Sequence, residues 1–185
     1  MKSVLKIVFA TAIAAMLFTG CSKDNNPLQP DTGGTPDPEP IVIKTPSKMH
    51  ITVIKVASFP EKKSNGDFWD YNPVLPLSSR PDVFVELSHG GTTVYRSNTE
   101  QDAYYLATYA FTKAALLSGP GLPYNASVTT KYKLEVMDDD TIVNDNMATL
   151  TFSPLSYYYN DNAKTFSINK TIGGVGIIIY GTWVY

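Results

Sequence analysis

Apolar and polar residues alternate along short stretches of the chain from about residue 46 to the end. In the stretch KYKLEV the apolar residues Tyr132, Leu134 and Val136 alternate with charged ones, the two-residue period of a half-buried β-strand. The same pattern predicts eight strands, near residues 49–57, 82–88, 92–97, 104–112, 130–137, 146–153, 164–170 and 175–185. The one helix candidate is the short segment 113–119. We therefore predict an all-β fold, an eight-stranded antiparallel β-sandwich.

An acidic run follows the fifth predicted strand, where Asp138, Asp139, Asp140 and Asp145 lie close together. Adjacent carboxylates repel each other and resist desolvation, so such a run needs solvent, hydrogen-bond donors or a cation. A loop that folds back on itself would aim Asp138, Asp140 and Asp145 at one point. Hard oxygen ligands in that number suit calcium. A solvated acidic turn is the alternative interpretation.

Two other metal sites are excluded by residue type and spacing. An EF-hand loop that began at the first aspartate of the run would need a glycine and a glutamate where the chain has Val143 and Thr149. Zinc prefers histidine and cysteine ligands, and the chain has only His50, His89 and Cys21.

The antiparallel arrangement predicts which segments lie near the acidic run. If each strand runs opposite to its predecessor, the connections after the first, third and fifth strands emerge at one end of the sandwich. The neighbours of the acidic run are then residues 58–81 and 98–103. These segments and the start of the second strand supply further acids: Asp67, Asp70, Asp82, Glu100 and Asp102.

Three stretches, ITVIKVASFP, RPDVFVEL and VMDDDTIVND, resemble the pattern of a C2 domain over residues 46–185. Asp82 matches the aspartate that opens the second strand of that family. Asp138, Asp140 and Asp145 match its third-loop calcium ligands. The resemblance therefore implies a C2-like sandwich that binds Ca²⁺.

The first loop is longer than in the family, so the first-loop ligand is either Asp67 or Asp70. We favour Asp70, because a buried Trp69 indole would anchor it. The predicted calcium ligands are then Asp70, Asp82, Asp138, Asp140 and Asp145. Phe68 and Trp69 are also candidate loop tips that contact a ligand, although packing of Trp69 in the interior is an equal alternative.

The first 21 residues predict a lipoprotein. Residues 1–20 have a basic start, an apolar run of secretory length and small residues before Cys21, as in a signal peptide. The ending LFTGC resembles a bacterial lipobox, which makes Cys21 the acylated first residue of the mature chain. Residues 21–45 are rich in Pro, Gly, Asp and Asn and predict a disordered tether. The resemblance implies a cell-envelope location, at the outer membrane and exposed at the surface.

Charge argues against nucleic acid as a partner. Removal of residues 1–20 takes away two lysines and no acids, so the 15 basic residues fall to 13 against 17 acidic ones, a net charge of about −4. A basic surface for phosphate contacts is therefore not expected.

These observations predict a membrane-anchored lipoprotein whose loops bind calcium and then phospholipid or another surface ligand. The alternative is a calcium-stabilised adhesion module that recognises glycan or protein without binding lipid. We do not expect an enzyme. Glycoside cleavage needs two carboxylates at a defined separation, whereas so many acids in one place suit a cation better. His50 and His89 suggest no Ser/His/Asp arrangement.

Overall fold

The structure is a computed structural model that describes residues 44–70, 79–112, 121–140, 143–159 and 163–185. All of them belong to one compact unit, Val42–Tyr185. The predicted signal peptide, Cys21, most of the predicted tether and the helix candidate at 113–119 lie outside the described residues. Within the described residues, no helix has both the length and the apolar character needed to cross a membrane.

The described residues form nine strands: β1 (Lys48–Ser58), β2 (Val83–His89), β3 (Thr92–Arg96), β4 (Tyr109–Phe111), β5 (Tyr124–Ser127), β6 (Tyr132–Asp138), β7 (Asp145–Phe152), β8 (Thr165–Ile172) and β9 (Val175–Val184). A 3-10 helix at Pro154–Tyr157 follows β7. The predicted all-β antiparallel fold is confirmed, but the strand count is nine rather than eight.

The strand that the sequence pattern missed is β5. It is four residues long and buries only Ala126 fully, so it lacks the alternation that marks the other strands. Its position depends instead on pairing with β1, from Lys48↔Ser127 to Ile51↔Tyr124. The neighbouring strand β4 is also shorter than predicted.

The strands form two antiparallel sheets that enclose the core. One sheet has the order β4-β1-β9-β8, with β5 also paired to β1, and the other has the order β3-β2-β6-β7. Alternate residues of β6 are buried, as the sequence pattern predicts. The largest fully buried side chains are those of Tyr95, Phe84, Phe111, Met49, Ile51, Ile54, Leu87 and Leu134, together with Ile168, Ile177, Ile179 and Val56.

The extra strand does not change which connections share an end of the sandwich. Both β4 and β5 run antiparallel to β1 and pair with successive parts of it, so they act as one interrupted strand. The connections after β1, β3 and β6 consequently meet at one end, here called the loop end. Val83 and Glu100 each donate a main-chain N–H to the other's carbonyl, at 2.9 and 2.8 Å, and Val83 also pairs in register with Asp138 at the end of β6.

Candidate metal centre

The centre of the loop end is Asp138, the last residue of β6. It pairs in register with Val83 of β2 on one side and with Asp145 of β7 on the other. A side chain at the end of a strand with two neighbours has little access to solvent, and Asp138 is 0% exposed. Burial of a carboxylate is unfavourable unless hydrogen bonds or a positive charge compensate it.

Three carboxylates converge at this position. Oxygens of Asp70, Asp138 and Asp140 all lie within 4.8 Å of one another. Asp138 and Asp140 come from the end of β6 and the residues after it, and Asp70 comes from the β1–β2 connection. We refer to these three residues as the acidic triad. Carboxylate oxygens at this spacing are suitable ligands for one hard cation.

The two oxygens of Asp138 have different environments. Oδ1 accepts a hydrogen bond of 2.8 Å from the main-chain N–H of Asp82. Oδ2 is buried and has no hydrogen-bond partner among the described residues. Buried polar atoms in proteins are nearly always paired, so a carboxylate oxygen that no described residue contacts, inside an acidic cluster, is suited to a cation ligand.

The triad also makes its own ionisation difficult. Burial raises the pKa of Asp138 to about 6; the Asp82 N–H opposes this rise, and the charge of Asp140 adds to it. Burial likewise raises the pKa of Asp70 to about 7, and the charge of Asp138 and the hydrogen bond with Asp140 raise it further. A bound cation would reverse these effects, because it favours the charged form of each acid.

The other two predicted ligands lie beside the triad with their carboxylates engaged by protein groups. Asp82 Oδ1 accepts a 2.7 Å hydrogen bond from the N–H of Asp102, a residue with a φ of 50°. Asp145 forms an ion pair with Lys63. The structure therefore brings Asp70, Asp138 and Asp140 together, and places Asp82 and Asp145 at the edge of the group.

The choice between Asp67 and Asp70 is decided by the hairpin that precedes the triad. Lys62 and Phe68 form an antiparallel bridge, and Gly66 closes the turn with a φ of 92°. Asp67 is part of that turn, where its carboxylate accepts a 2.7 Å hydrogen bond from Asn65. It is thus held away from the triad, and Asp70 takes the first-loop position.

Trp69 is not an exposed loop tip. Its side chain is 7% exposed and belongs to the hydrophobic core, and its Nε1–H donates a 2.8 Å hydrogen bond to the carbonyl of Pro60. Of the two alternatives left by the sequence, the buried anchor beside Asp70 is the one observed. Phe68 is half-buried, and the ammonium group of Lys62 lies 4.4 Å from its ring centroid.

The sequence pattern assigned no role to Asp139, which points away from the triad. Its Oδ2 accepts a 2.9 Å hydrogen bond from Thr99, and its Oδ1 lies 3.5 Å from Nη2 of Arg96. Arg96 in turn lies over the ring of Phe84, 4.0 Å from its centroid. These contacts hold the Asp139 side chain on the outer side of the loop. Its neighbours Asp138 and Asp140 belong to the triad on the inner side.

Lys63 is the second residue that the sequence did not assign. Its partner Asp145 lies 82 positions later in the chain, so no local pattern could indicate the pair. The stretch EKKSNGD, within the long first loop, has two lysines and two acids, so it gave no indication of a positive charge near the triad.

No family model matches the chain, and no curated protein matches it. Among solved structures, it is similar to a C2 domain with 13% identity, over 75% of this chain and 99% of that one, at a TM-score of 0.46. It is also similar to human GIVD cytosolic phospholipase A2 in complex with methyl gamma-linolenyl fluorophosphonate. The identity is 12%, the match covers 76% of this chain and 18% of that one, and the TM-score is 0.46. A structure of extended-synaptotagmin 2 that holds its SMP domain and two C2 domains is similar as well. The identity is 13%, the match covers 75% of this chain and 27% of that one, and the TM-score is 0.46.

At these identities the similarity concerns the arrangement of strands, and the chain spans less than a third of the last two proteins. The described residues define a two-sheet antiparallel β-sandwich with an acidic triad at its loop end.

Proposed function

We propose that the loop end binds calcium through Asp70, Asp138 and Asp140. The observation that carries the proposal is the buried Oδ2 of Asp138, which has no hydrogen-bond partner among the described residues and belongs to a group whose oxygens lie within 4.8 Å of one another. A cation would supply the missing partner and cancel the repulsion among the three acids. Calcium suits an oxygen-only donor set of irregular geometry, whereas magnesium demands a tighter octahedron.

Calorimetry on the purified protein tests this proposal directly. Heat of calcium binding at millimolar concentration or below supports it, and magnesium should substitute poorly. A second test uses terbium, which accepts the same oxygen ligands as calcium. Because Trp69 directly precedes Asp70, excitation of the indole should produce terbium luminescence that calcium suppresses. No binding heat and no luminescence would mean that the triad is only a solvated acidic cluster.

The wider function that we propose is calcium-dependent binding of a surface ligand, with phospholipid as the first candidate. A cavity of about 180 Å³ at the loop end is lined by aromatic rings and by Arg80, which lies 5.1 Å from the ring centroid of Tyr104. Phe68 also lines it, two residues before Asp70. Glu61 also lines the cavity, so an amphiphile with an anionic head group would depend on the Arg80 guanidinium, the aromatic rings and a calcium ion held by the triad to outweigh that carboxylate.

The alternative is a calcium-stabilised adhesion module that recognises glycan or protein. The two functions are separated by vesicles that contain anionic phospholipid and by a glycan array, each used with calcium and with a chelator. Calcium-dependent sedimentation with vesicles supports the first function. Calcium-dependent glycan binding without sedimentation supports the second. In either case we propose that acyl chains on Cys21 anchor the chain in the cell envelope, as LFTGC indicates.

A further inference from the structure

A lysine of the protein itself lies next to the acidic triad. The ammonium group of Lys63 pairs with Asp145, the first residue of β7. Asp145 pairs in register with Asp138, the central member of the triad. The Lys63 ammonium also lies 5.7 Å from the ring centroid of Trp69. A positive charge is thus present at one side of the triad before any ion binds.

The position of this lysine is set by a well-braced hairpin. The main-chain N–H of Lys63 donates a 2.8 Å hydrogen bond to the carbonyl of Asp67, and its carbonyl accepts one of 2.9 Å from Gly66. The buried Trp69 fastens the end of the hairpin to Pro60. With its backbone held at several points, Lys63 loses less freedom on pairing than a lysine on an unbraced loop would.

The pair changes what the acidic cluster can bind. An Asp145 carboxylate that faces an ammonium group has less negative charge to offer a metal ion. The ammonium would also repel a divalent ion placed beside it. Among the described residues Lys63 pairs directly with Asp145, while its charge also acts on Asp138 and Asp140 without direct contact, and Asp138 keeps the unpaired Oδ2. Asp145 is therefore neutralised by direct contact with an ammonium group, whereas Asp70, Asp138 and Asp140 form no ion pair among the described residues.

We propose that Lys63 occupies a second cation position with its own ammonium group and so limits the loop end to one calcium ion. This inference rests on the proposed function, since it concerns the same site. It assigns Lys63 as the residue that sets the stoichiometry of the site, and it excludes Asp145 from the calcium ligands of the native protein.

The test is the calcium stoichiometry of the native protein and three purified variants, measured by calorimetry and checked by equilibrium dialysis. The native protein should bind one ion. K63Q removes the charge at similar length, frees Asp145 and should bind two. K63R keeps a positive charge and should remain at one. K63Q/D145N removes the freed carboxylate as well and should return to one, which separates ion binding at Asp145 from a general effect of lost charge.

Lys62 supplies a matched control. It is the preceding residue and carries the same charge, but its ammonium group lies over Phe68 rather than beside an acid. K62Q should therefore bind one ion with unchanged affinity. Circular dichroism melting of each variant in chelator shows whether it is folded; if K63Q is unfolded in chelator, refolding by calcium with a stoichiometry of two supports the inference and refolding with a stoichiometry of one contradicts it.

The outcomes separate this inference from the proposed function. Two ions in the native protein, or a single ion in K63Q whatever its affinity, would overturn the role of Lys63 while the calcium site stands. Binding by K63Q but not by the native protein would support the role of Lys63 and contradict the native calcium site. If neither the native protein nor K63Q binds calcium, the calcium site and the role of Lys63 are both overturned.

Discussion

The main-chain N–H of Asp82 donates a 2.8 Å hydrogen bond to Oδ1 of Asp138, which joins the start of β2 to the end of β6. Beside it, the carbonyl of Asp82 accepts a 2.8 Å bond from the N–H of Asp139. Together they extend the β2–β6 pairing beyond the last strand residue. One oxygen of Asp138 is thereby fixed by the backbone, and the other is buried without a hydrogen-bond partner among the described residues.

The first prediction concerns calcium and Asp138. Since a ligand that binds only the folded state stabilises it, calcium at about a hundred times Kd should add about 2.7 kcal/mol to the free energy of unfolding. D138N keeps the shape but removes the charge, so it should abolish most of this gain. In chelator at pH 8, D138N should be as stable as the native protein or more so, because one repelling charge is gone. Urea unfolding with calcium and with chelator measures both effects.

The matched control for this substitution is D139N. Asp139 contacts Thr99 and Arg96 on the outer side of the loop. Its replacement removes the same charge one position away, so D139N should keep most of the calcium response. Equal loss of the response in D138N and D139N would mean that total charge, rather than a defined site, is responsible.

The second prediction concerns pH. The pKa of Asp70 rises from 3.8 to about 7 and that of Asp138 to about 6, so the folded, calcium-free protein holds protons that the unfolded chain has already released. Their contribution to stability is complete below about pH 4 and is lost as pH rises through 6 and 7. Stability in chelator should therefore fall over that range, and calcium stabilisation should grow as the acids ionise.

Urea unfolding at several pH values between about 4 and 8 checks the second prediction. The double variant D70N/D138N has neither titrating group, so its stability in chelator should vary less with pH than that of the native protein. A calcium-free stability that rises over the same range would contradict the raised pKa values.

The third prediction concerns Trp69. Its indole is buried and hydrogen-bonded to Pro60, so W69A should lower the free energy of unfolding by about 3–5 kcal/mol. W69F keeps a ring but loses the Nε1–H donor and should lower it by less. F68A changes a half-buried ring and should have a smaller effect than W69A. Chemical denaturation measures the free energy of unfolding of the three variants and so ranks them. Equal stability of W69A and the native protein would show that the indole is exposed.

The fourth prediction concerns the anchor. In the native host the protein should partition into detergent and carry acyl chains on Cys21, because the signal ends in LFTGC. C21S should remain unprocessed or become soluble, whereas a substitution in the tether such as S22A should leave partitioning unchanged. Intact-mass measurement decides the question: a correctly cleaved chain with an unmodified Cys21 would exclude the lipoprotein.

Part of the site could be predicted from the order of residues alone. The pairing of Asp138 with Asp140 follows from their spacing after a strand, and the nearness of Asp82 follows from the antiparallel arrangement. That arrangement indicated the right end of the sandwich even though β5 was missed, because β4 and β5 run in the same direction along β1. The preference for Asp70 rested on a buried Trp69 indole, and the structure places Trp69 in the core.

By itself the sequence determined what depends on neighbouring residues: the alternation that makes strands, the run of aspartates that ends β6 and the sandwich that such strands build. Only the tertiary structure decided that Asp139 faces outward, that Asp138 has a buried oxygen without a partner among the described residues and that Lys63 meets Asp145. These features depend on contacts between segments far apart in the chain. Side-chain alternation is a local property, whereas burial and charge pairing arise only when the two sheets and their loops come together.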